Sequence, residues 1–517
     1  MLESGGEVEE SRPPSSPAAA PDAPPGVQRS NEVAVAIRNG LRLGSSLILT
    51  WAVALIVKLQ IPAYLGPIRQ GHFAFAESFA TMFFSLITLG VDTYVTKEVP
   101  ARPAYASEFI GGVFALRVVL WVALLGAMAV TLIWTGRSDE ILATAMVFGA
   151  AQFLASVNGT LAAVLQAVSQ VGRLAVVSVF CKVIWGAGLL AGLLTNAPMW
   201  VLAAPMAASE LLKTVVLVPA ARSAASLRYR INMKAARDAL TSSVPFFVNT
   251  VAIIFGNYLA LSALEFIRRE EREVGWFAAS QNIAGLATLL TPLLTSVVMP
   301  MLSRAQARSS DEMIKLLRRC IEGLLIVTAP GTVFISAGAD VLVDLAFGAE
   351  YAPAALGLSI LSLVFLMMYM NFMLACALIL MDRGWTVTLT SIFSVCGLAA
   401  LMLVCVPLGR HWFGIGGECA GAALAVIVSE SAVVAVMLTR FKDSPLDGRN
   451  IAVLTKSVLI SAMVLVLNHF IHDMGPVRLV IVMIAYLVLA WALRVIQPAE
   501  VVKAIKLLKD RRQQTEA

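Results

Sequence analysis

The sequence has few charged residues and few histidines. Asp, Glu, Lys and Arg make up only 14% of its 517 residues, and there are four histidines. Soluble globular domains carry about 25% charged residues, so the composition does not favour an ordinary soluble fold. A catalytic or zinc centre built from several histidines is nearly excluded by the same scarcity.

Cysteine and nucleotide-binding motifs give no sign of an enzyme. The six cysteines show no CxxC motif and no paired spacing, and each lies in or beside an apolar stretch, where cysteine behaves as a small hydrophobic residue. The glycine-rich run 414–417 lacks the lysine of a phosphate-binding loop. We therefore expect no enzyme activity, no catalytic residue, no cofactor, no metal and no nucleic-acid partner.

Apolar residues are abundant and are arranged in long runs. They make up 59% of the chain, against roughly 45–50% in soluble proteins. A run of about 20 such residues can cross a bilayer, and inside lipid it must be helical because no water is present to bond the backbone. The sequence predicts an all-α membrane protein with about 14 transmembrane helices, at 41–61, 72–95, 107–134, 141–165, 174–195, 199–221, 244–264, 275–300, 320–340, 354–381, 385–407, 416–438, 451–471 and 477–496.

The connections and the termini predict the orientation. Lys and Arg concentrate in alternate connections, which by the positive-inside rule places both termini in the cytoplasm. Residues 1–35 are rich in Pro, Ala, Ser and Glu and are predicted to be a disordered cytoplasmic tail. The stretch 222–243 is predicted to be a basic cytoplasmic linker and 497–517 a basic cytoplasmic tail.

This linker divides the predicted helices into two groups. We expect a six-helix N-lobe at 36–221, a six-helix C-lobe at 244–440 and an additional helix pair at 441–496. The segment Gly71–Ala76 (GHFAFA) opens the second predicted helix, and Gly275–Ala279 (GWFAA) opens the eighth. Both follow a polar outer loop, one lobe apart, which indicates a repeated unit.

Charges inside the predicted spans of the N-lobe are candidate functional residues. A charge at the bilayer centre costs roughly 2.5–3.5 kcal/mol on insertion scales, so such side chains usually face the bundle interior or a water-filled cavity. If they share one cavity, the cations would form a basic lining that binds a phosphate or diphosphate reversibly. The candidates are the cations Lys58, Arg117, Lys182 and Lys213 and the carboxylates Glu77 and Glu210.

Simpler interpretations exist for several of these charges. Glu210 and Lys213 lie three residues apart and would pair with each other on one helix face. Lys58 would extend its ammonium to the outer surface. Arg38 and Arg42, one helical turn apart at the cytoplasmic start of the first span, either anchor the helix at the cytoplasmic surface or capture an anionic head group there.

Three acidic residues within spans are candidate coupling sites. Glu77, Glu418 and Glu430 would bind a proton or a cation in a coupled transporter. The alternative for each is a buried neutral carboxyl group or a helix–helix hydrogen bond.

Three short segments resemble a known family. Tyr64–Phe73 (YLGPIRQGHF), Leu345–Tyr351 (LAFGAEY) and Gly417–Ala423 (GECAGAA) occur at corresponding places in the topology. They resemble motifs of the polysaccharide-export family of membrane flippases, which includes O-antigen flippases. That family shares a superfamily with the lipid II flippases and the multidrug and toxic compound extrusion (MATE) antiporters.

The resemblance implies a V-shaped pair of lobes around a central cavity, alternating access, and an undecaprenyl-diphosphate-linked sugar as cargo. It also implies that cationic side chains in the cavity bind the diphosphate. By position these would be Arg38, Arg42, Arg117, Lys182 and Lys213. The first predicted helix contains no acidic residue, whereas many drug antiporters of the superfamily bind their coupling cation there, which makes a drug antiporter the less favoured interpretation.

We therefore expect a flippase of the bacterial inner membrane that moves a polyprenyl-diphosphate-linked oligosaccharide from the cytoplasmic to the periplasmic leaflet, for cell-surface polysaccharide or lipopolysaccharide synthesis. Its partners would be the lipid-linked oligosaccharide, membrane lipids, a polysaccharide polymerase and glycosyltransferases. One alternative is a cation-coupled drug or metabolite antiporter. The other is a non-transporting scaffold for glycan synthesis that depends on its basic linker.

Overall fold

The computed structural model describes residues 25–100, 106–168, 170–224, 232–286 and 291–495. Within these ranges, the side chains of 25–43, 47, 292, 293, 295 and 296 are not described. The described chain consists of helices and the turns between them, without a strand. Residues 1–24, residues 225–231 of the linker predicted at 222–243, and the tail at 497–517 lie outside the described residues.

The first half of the chain folds into helices α1 to α6. Their bounds are α1 Pro25–Ser85, α2 Val91–Glu98, α3 Ala106–Trp134, α4 Asp139–Ala167, α5 Val171–Leu194 and α6 Met199–Ala224. Helix α1 contains the predicted span 41–61 and most of the predicted span 72–95. Between these two spans its backbone leaves the helical conformation at Gly66, where φ is 67° and ψ is 167°. Pro62 and Pro67 flank this break, and each removes an internal helix hydrogen bond.

The second half and the C-terminal segment form helices α7 to α17. Their bounds are α7 Met233–Ile267, α8 Arg272–Ala284, α9 Thr291–Arg308, α10 Ser310–Ala337, α11 Ala339–Phe347, α12 Ala354–Leu361, α13 Val364–Leu380, α14 Gly384–Phe413, α15 Gly417–Leu438, α16 Gly448–Phe470 and α17 Val477–Ala492. Side-chain caps fix several helix starts: Asn232 accepts hydrogen bonds from the amides of Lys234 and Ala235, and Asp447 accepts one from Asn450.

The prediction of an all-α membrane protein is confirmed, whereas the number of spans is not. Among the described residues, 11 helices are long and apolar enough to cross a bilayer. The prediction of about 14 differs at three places. The spans 41–61 and 72–95 share α1, the span 275–300 contains residues outside the described ranges, and α17 has only 16 residues.

We name the two ends of the bundle by its connections. The linker end is where α6 ends and α7 begins, and the far end carries the α3–α4, α5–α6 and α7–α8 turns. Helix α1 packs against α4 and α5 in the first half and against α7 and α8 in the second. The interface between the two halves therefore runs along α1.

The two similar segments found in the sequence meet at the far end. A Cβ atom on Gly71 would lie 2.9 Å from the backbone nitrogen of Gly275, and one on Gly275 would lie 1.8 Å from the carbonyl oxygen of Pro67. The backbones of the two halves are therefore in direct contact at a place that only glycine allows.

The halves also meet at the linker end, through α7. Gly90 lies between α1 and α2 and has a φ of 67°. A Cβ atom there would lie 2.4 Å from the amide nitrogen of Phe247 on α7. A Cβ atom on Gly112 of α3 would lie 2.7 Å from the Cβ of Ala236 on α7. Helix α7 thus packs against the first half near the linker end as well as on α1.

Candidate functional site

Charged side chains inside the first half form ion pairs within the membrane-spanning helices. Lys58 Nζ lies 3.2 Å from Glu77 Oε1, both on α1, and Lys213 Nζ lies 3.9 Å from Glu210 Oε1, both on α6. Asn158 on α4 donates a hydrogen bond of 2.8 Å to the second oxygen of Glu210. The four charged side chains keep between 20% and 36% of their surface exposed.

Lys182 on α5 lies within electrostatic range of both pairs. Its Nζ lies 3.6 Å from the centroid of the Trp185 ring, a cation–π contact. It also interacts electrostatically with both lysines and both glutamates of the pairs. We call this set the basic cluster; its members are Lys58, Glu77, Lys182, Glu210 and Lys213, and three cations against two carboxylates give it a formal charge of +1.

The basic cluster borders the second half of the chain. Asn282 on α8 donates a hydrogen bond of 3.4 Å to the carbonyl of Lys58, and Ser78 donates one of 3.0 Å to the carbonyl of Tyr258 on α7. Tyr258 also interacts electrostatically with Lys58 and Glu77. The Lys58–Glu77 pair of the cluster therefore lies beside the interface between the halves.

The chemistry of the cluster suits reversible binding of an anion. Its lysines carry compact charges on flexible stems, and their partners are carboxylates and a ring face rather than a rigid network. An entering anion competes with these carboxylates for the lysines, and the loss of the Lys58–Glu77 and Lys213–Glu210 pairs opposes tight binding. The expected Glu210–Lys213 pair is present, and Lys58 pairs with Glu77.

Arg117 lies outside this cluster, in a separate hydrogen-bond network. Its side chain is fully buried, and all five of its N–H groups have acceptors. They donate to the carbonyls of Ile87, Thr88 and Ser156, to Thr160 Oγ1 and to Asp92 Oδ1. In this conformation the guanidinium has no N–H left for a phosphate.

A break in the backbone explains the network around Arg117. Leu89 and Gly90 have φ values of 54° and 67°, so the helical backbone that follows α1 stops before α2. Its last carbonyl groups are left without helical partners. The Arg117 guanidinium supplies donors to two of these carbonyls, from Ile87 and Thr88. Arg117 therefore fixes the position of α2 relative to α3 and α4.

Replacing Arg117 with methionine is expected to destabilise the fold. The change removes the donors to the carbonyls of Ile87, Thr88 and Ser156 and leaves these buried acceptors unsatisfied, which costs roughly 1–3 kcal/mol for each buried group. The Asp92 carboxylate also loses its guanidinium, but 38% of its side chain is exposed, so this loss adds less. A thermal melt of the purified protein in detergent would show a lower Tm for Arg117→Met than for Arg117→Lys, which keeps the charge. An unchanged Tm together with lost transport would instead assign Arg117 to substrate binding.

The structure does not describe the side chains of the two remaining predicted cations. Arg38 and Arg42 lie on α1, but their side chains are outside the described residues. Their role in head-group capture stays a prediction.

The three predicted coupling carboxylates lie at separate places. Glu77 belongs to the basic cluster. Glu418, with 1% of its side chain exposed, accepts hydrogen bonds from Arg410 at 2.7 Å and from the amide of Arg269 at 3.1 Å, at the far end. Glu430 on α15 accepts a hydrogen bond from Asn371 on α13. A coupling role stays a prediction for all three.

A charged group at the far end was missed in the sequence. Glu265, at the end of α7, is fully buried and binds Arg137 from the α3–α4 turn. Arg268 donates to both carboxylate oxygens of Glu265, at 2.7 and 2.8 Å. The Arg137 guanidinium also lies 5.1 Å from the centre of the Phe266 ring and 5.5 Å from that of Phe75. We call Arg137, Glu265 and Arg268 the far-end latch, because they join the two halves.

Glu273 lies just before the predicted span 275–300 and is buried against α15. Its oxygens accept hydrogen bonds of 2.8 Å from the amides of Gly416 and Cys419. Burial raises the pKa of Glu273 to about 7, although these two hydrogen bonds oppose the shift.

A pH dependence of stability follows from this raised pKa. A carboxyl group whose pKa is higher in the folded state contributes nothing below its unfolded pKa of 4.5 and increasingly destabilises the fold as pH rises towards about 7. We expect the Tm of the wild-type protein to fall between pH 5 and pH 8 by more than that of Glu273→Gln. Parallel Tm curves for the two proteins over this range would contradict the assignment.

A known protein family matches this chain in sequence. A family model described as polysaccharide biosynthesis protein matches residues 64–356. No curated protein matches the chain in sequence.

Solved structures of membrane transporters have the same fold. The lipid II flippase MurJ in an inward-closed conformation is 14% identical, with a TM-score of 0.63 over 88% of this chain and 98% of that one. An inward-facing multidrug resistance transporter of the MATE family, of the MOP superfamily, is 14% identical, with a TM-score of 0.55 over 77% and 94%. A mutant of the Vibrio cholerae MATE transporter VcmN is 14% identical, with a TM-score of 0.52 over 78% and 98%. The family resemblance expected from the sequence is confirmed by the family model, and these structures show a shared fold.

Proposed function

The chain belongs to the polysaccharide biosynthesis protein family, and on that premise we propose that it is a flippase for a polyprenyl-diphosphate-linked oligosaccharide. The observation that carries this proposal is the basic cluster. Lys58, Lys182 and Lys213 come from three different helices, Lys182 lies within electrostatic range of both ion pairs, and the Lys58–Glu77 pair borders the interface between the halves. A diphosphate can leave water only if cations replace its hydration shell.

The carboxylates of the cluster give it a means of release. Without substrate, Glu77 and Glu210 neutralise two of the three lysines, so the cluster is stable when empty. When a diphosphate enters, the lysines turn to it, and when it leaves they return to the carboxylates. Binding is therefore an exchange of partners, which keeps the head group from being held too tightly to move on.

The two halves would act as the moving lobes. We place the linker end in the cytoplasm, because its connections are the basic ones, and the membrane is the bacterial inner membrane. The N-lobe is 36–221, the C-lobe is 244–440, and the pair 441–496 is attached to the latter. The far-end latch then closes the periplasmic side, and rocking of the lobes around the cluster would move the sugar across while the prenyl tail stays in lipid.

In this arrangement the substrate reaches the cluster from the cytoplasmic side. At the linker end α7 packs against α2 and α3. The proposed entrance therefore lies on the opposite side of the interface between the halves, along α1. Arg38 and Arg42 lie at the start of the first span on this helix and are proposed to capture the head group first. Glycosyltransferases would supply the substrate and a polymerase would receive it.

A flipping assay in reconstituted vesicles tests the proposal. The assay would compare a prenyl-diphosphate-linked sugar with the same sugar on an uncharged prenyl lipid. We expect the protein to accelerate movement of the diphosphate form alone. Equal acceleration of both lipids, or of neither, would contradict the proposal.

The alternative is a cation-coupled antiporter, and the surroundings of Glu430 favour it. This carboxylate lies inside α15 with an amide partner, Asn371, and within the described residues no cation pairs with it. Efflux of a cationic dye that is lost in Glu430→Gln, Glu418→Gln or Glu77→Gln would support the antiporter. Dye efflux that does not depend on these carboxylates would count against it.

A further inference from the structure

A groove lies between α5 and α6 near the linker end, outside the basic cluster. Its volume is about 360 Å³, within the usual range of roughly 300–1,000 Å³ for small-ligand sites. One charged side chain lines it, and the other lining residues are apolar. They are Arg173, Val177, Val216, Leu217, Pro219 and Ala220.

The charge lies at one end of the groove. Arg173 is in the first turn of α5 and is exposed, and it has no ion-pair partner in the part of the chain that the structure describes. The residue before this helix, Gln170, makes no side-chain cap, so it does not occupy the first amide groups of α5. Arg222 is exposed in the last turn of α6, three residues after Pro219 and so on the same face of the helix.

We propose that this groove binds an anionic phospholipid. An apolar channel with guanidinium groups at its membrane-surface end matches a molecule with an acyl chain and a phosphate. Basic pockets between transmembrane helices on the cytoplasmic side bind anionic head groups, and arginine can contact a phosphate through two N–H groups at once. The free amides at the start of α5 favour the same negative charge.

The position of the groove gives the lipid a consequence for the basic cluster. Helix α5 carries Lys182, and α6 carries Glu210 and Lys213. A lipid held between these two helices fixes their spacing at the linker end. The lipid is therefore a structural ligand of the helices that present the cluster, and its binding does not depend on what the cluster transports.

Native mass spectrometry of the purified chain tests this proposal. The protein would be equilibrated in detergent with phosphatidylglycerol or with phosphatidylcholine of the same acyl chains, and the retained lipid counted. We expect wild type to retain phosphatidylglycerol selectively. Arg173→Gln should bind it about fivefold more weakly, as expected for removal of one arginine near a head group.

Two further variants separate the groove from general attraction by basic residues. Val216→Trp fills the groove without changing charge and should reduce phosphatidylglycerol retention. Arg237→Gln removes an exposed cation of α7 that does not line the groove, and it should bind as wild type does. Equal retention of the two lipids, unchanged binding in Val216→Trp, or equal losses in Arg173→Gln and Arg237→Gln would overturn the proposal.

Discussion

Replacing Lys182 with glutamine is expected to reduce flipping of a diphosphate-linked substrate at least about tenfold, and replacing Lys58, Lys182 and Lys213 together should abolish it. A hydrogen bond to a charged group contributes roughly 1.5–3 kcal/mol, and each 1.4 kcal/mol is about a factor of ten. Lys182 has the largest single effect because its contact in the empty cluster is the Trp185 ring rather than a carboxylate. It is therefore the lysine most readily available to the substrate.

Exposed lysines provide the control for this loss. Lys97 and Lys315 keep 69% and 64% of their side chains exposed, outside the basic cluster. Lys97→Gln and Lys315→Gln remove the same charge and should flip substrate at the wild-type rate. Tm values measured in parallel would show that the cluster variants are folded. A folded triple variant that flips the diphosphate lipid normally would contradict the role of the cluster.

Replacing Glu265 with glutamine is expected to open the far end. The change leaves the guanidinium groups of Arg137 and Arg268 close together without their shared carboxylate. Removing one member of a buried ion pair costs roughly 3–5 kcal/mol. The share of this cost that belongs to Arg137 falls on the closed state alone, because the Glu265–Arg268 pair lies within one half and persists when the halves separate. Each 1.4 kcal/mol of that share changes the ratio of closed to open states about tenfold.

Spin labels at the far end would measure this opening. Leu194 in the first half and His411 in the second are exposed, and cysteines at these positions in a chain without native cysteines can carry the labels. Electron–electron distance measurements should show a longer population in Glu265→Gln. The matched control is Glu271→Gln, since Glu271 is 57% exposed and lies 4.0 Å from Arg268. Identical distance distributions in both variants would refute the latch.

The sequence predicted the helices better than their interruptions. Long apolar runs determine where a chain crosses lipid, so most predicted spans match helices within a few residues. The breaks at Gly66, Leu89 and Gly90 depend on contacts with distant helices, such as that of Gly90 with Phe247. A hydropathy pattern carries no information about such contacts. For this reason the sequence did not predict that α1 ends at Ser85 or that α2 is a separate helix.

The charged residues show the same limit. Their placement inside spans marked Lys58, Lys182 and Lys213 as residues that need polar surroundings, and each has a carboxylate or aromatic partner. Their role in substrate binding stays a prediction. Arg117 satisfied the same criterion, yet a helix break supplied its surroundings. Charge in a span predicts that a side chain needs partners but does not say whether those partners are a ligand or the backbone.

The far-end latch was missed because its members lie outside the spans. Arg137 and Arg268 lie in the connections between the predicted spans, where solvated charges are ordinary. The spacing of Glu265 and Arg268, three residues apart at a helix end, was a signal of local pairing. The contact with Arg137 joins residues 128 positions apart, and only the fold brings them together.

Chemical footprinting of lysines tests the central claim most directly. The purified protein would be treated with an amine-acylating reagent, with and without a short-chain prenyl diphosphate, and the modified lysines identified by mass spectrometry. We predict that the diphosphate protects Lys58, Lys182 and Lys213 together, that the corresponding prenyl alcohol protects none of them, and that the exposed Lys97 is modified equally throughout. Unchanged modification of the three lysines at saturating diphosphate would show that the cluster does not bind the substrate head group.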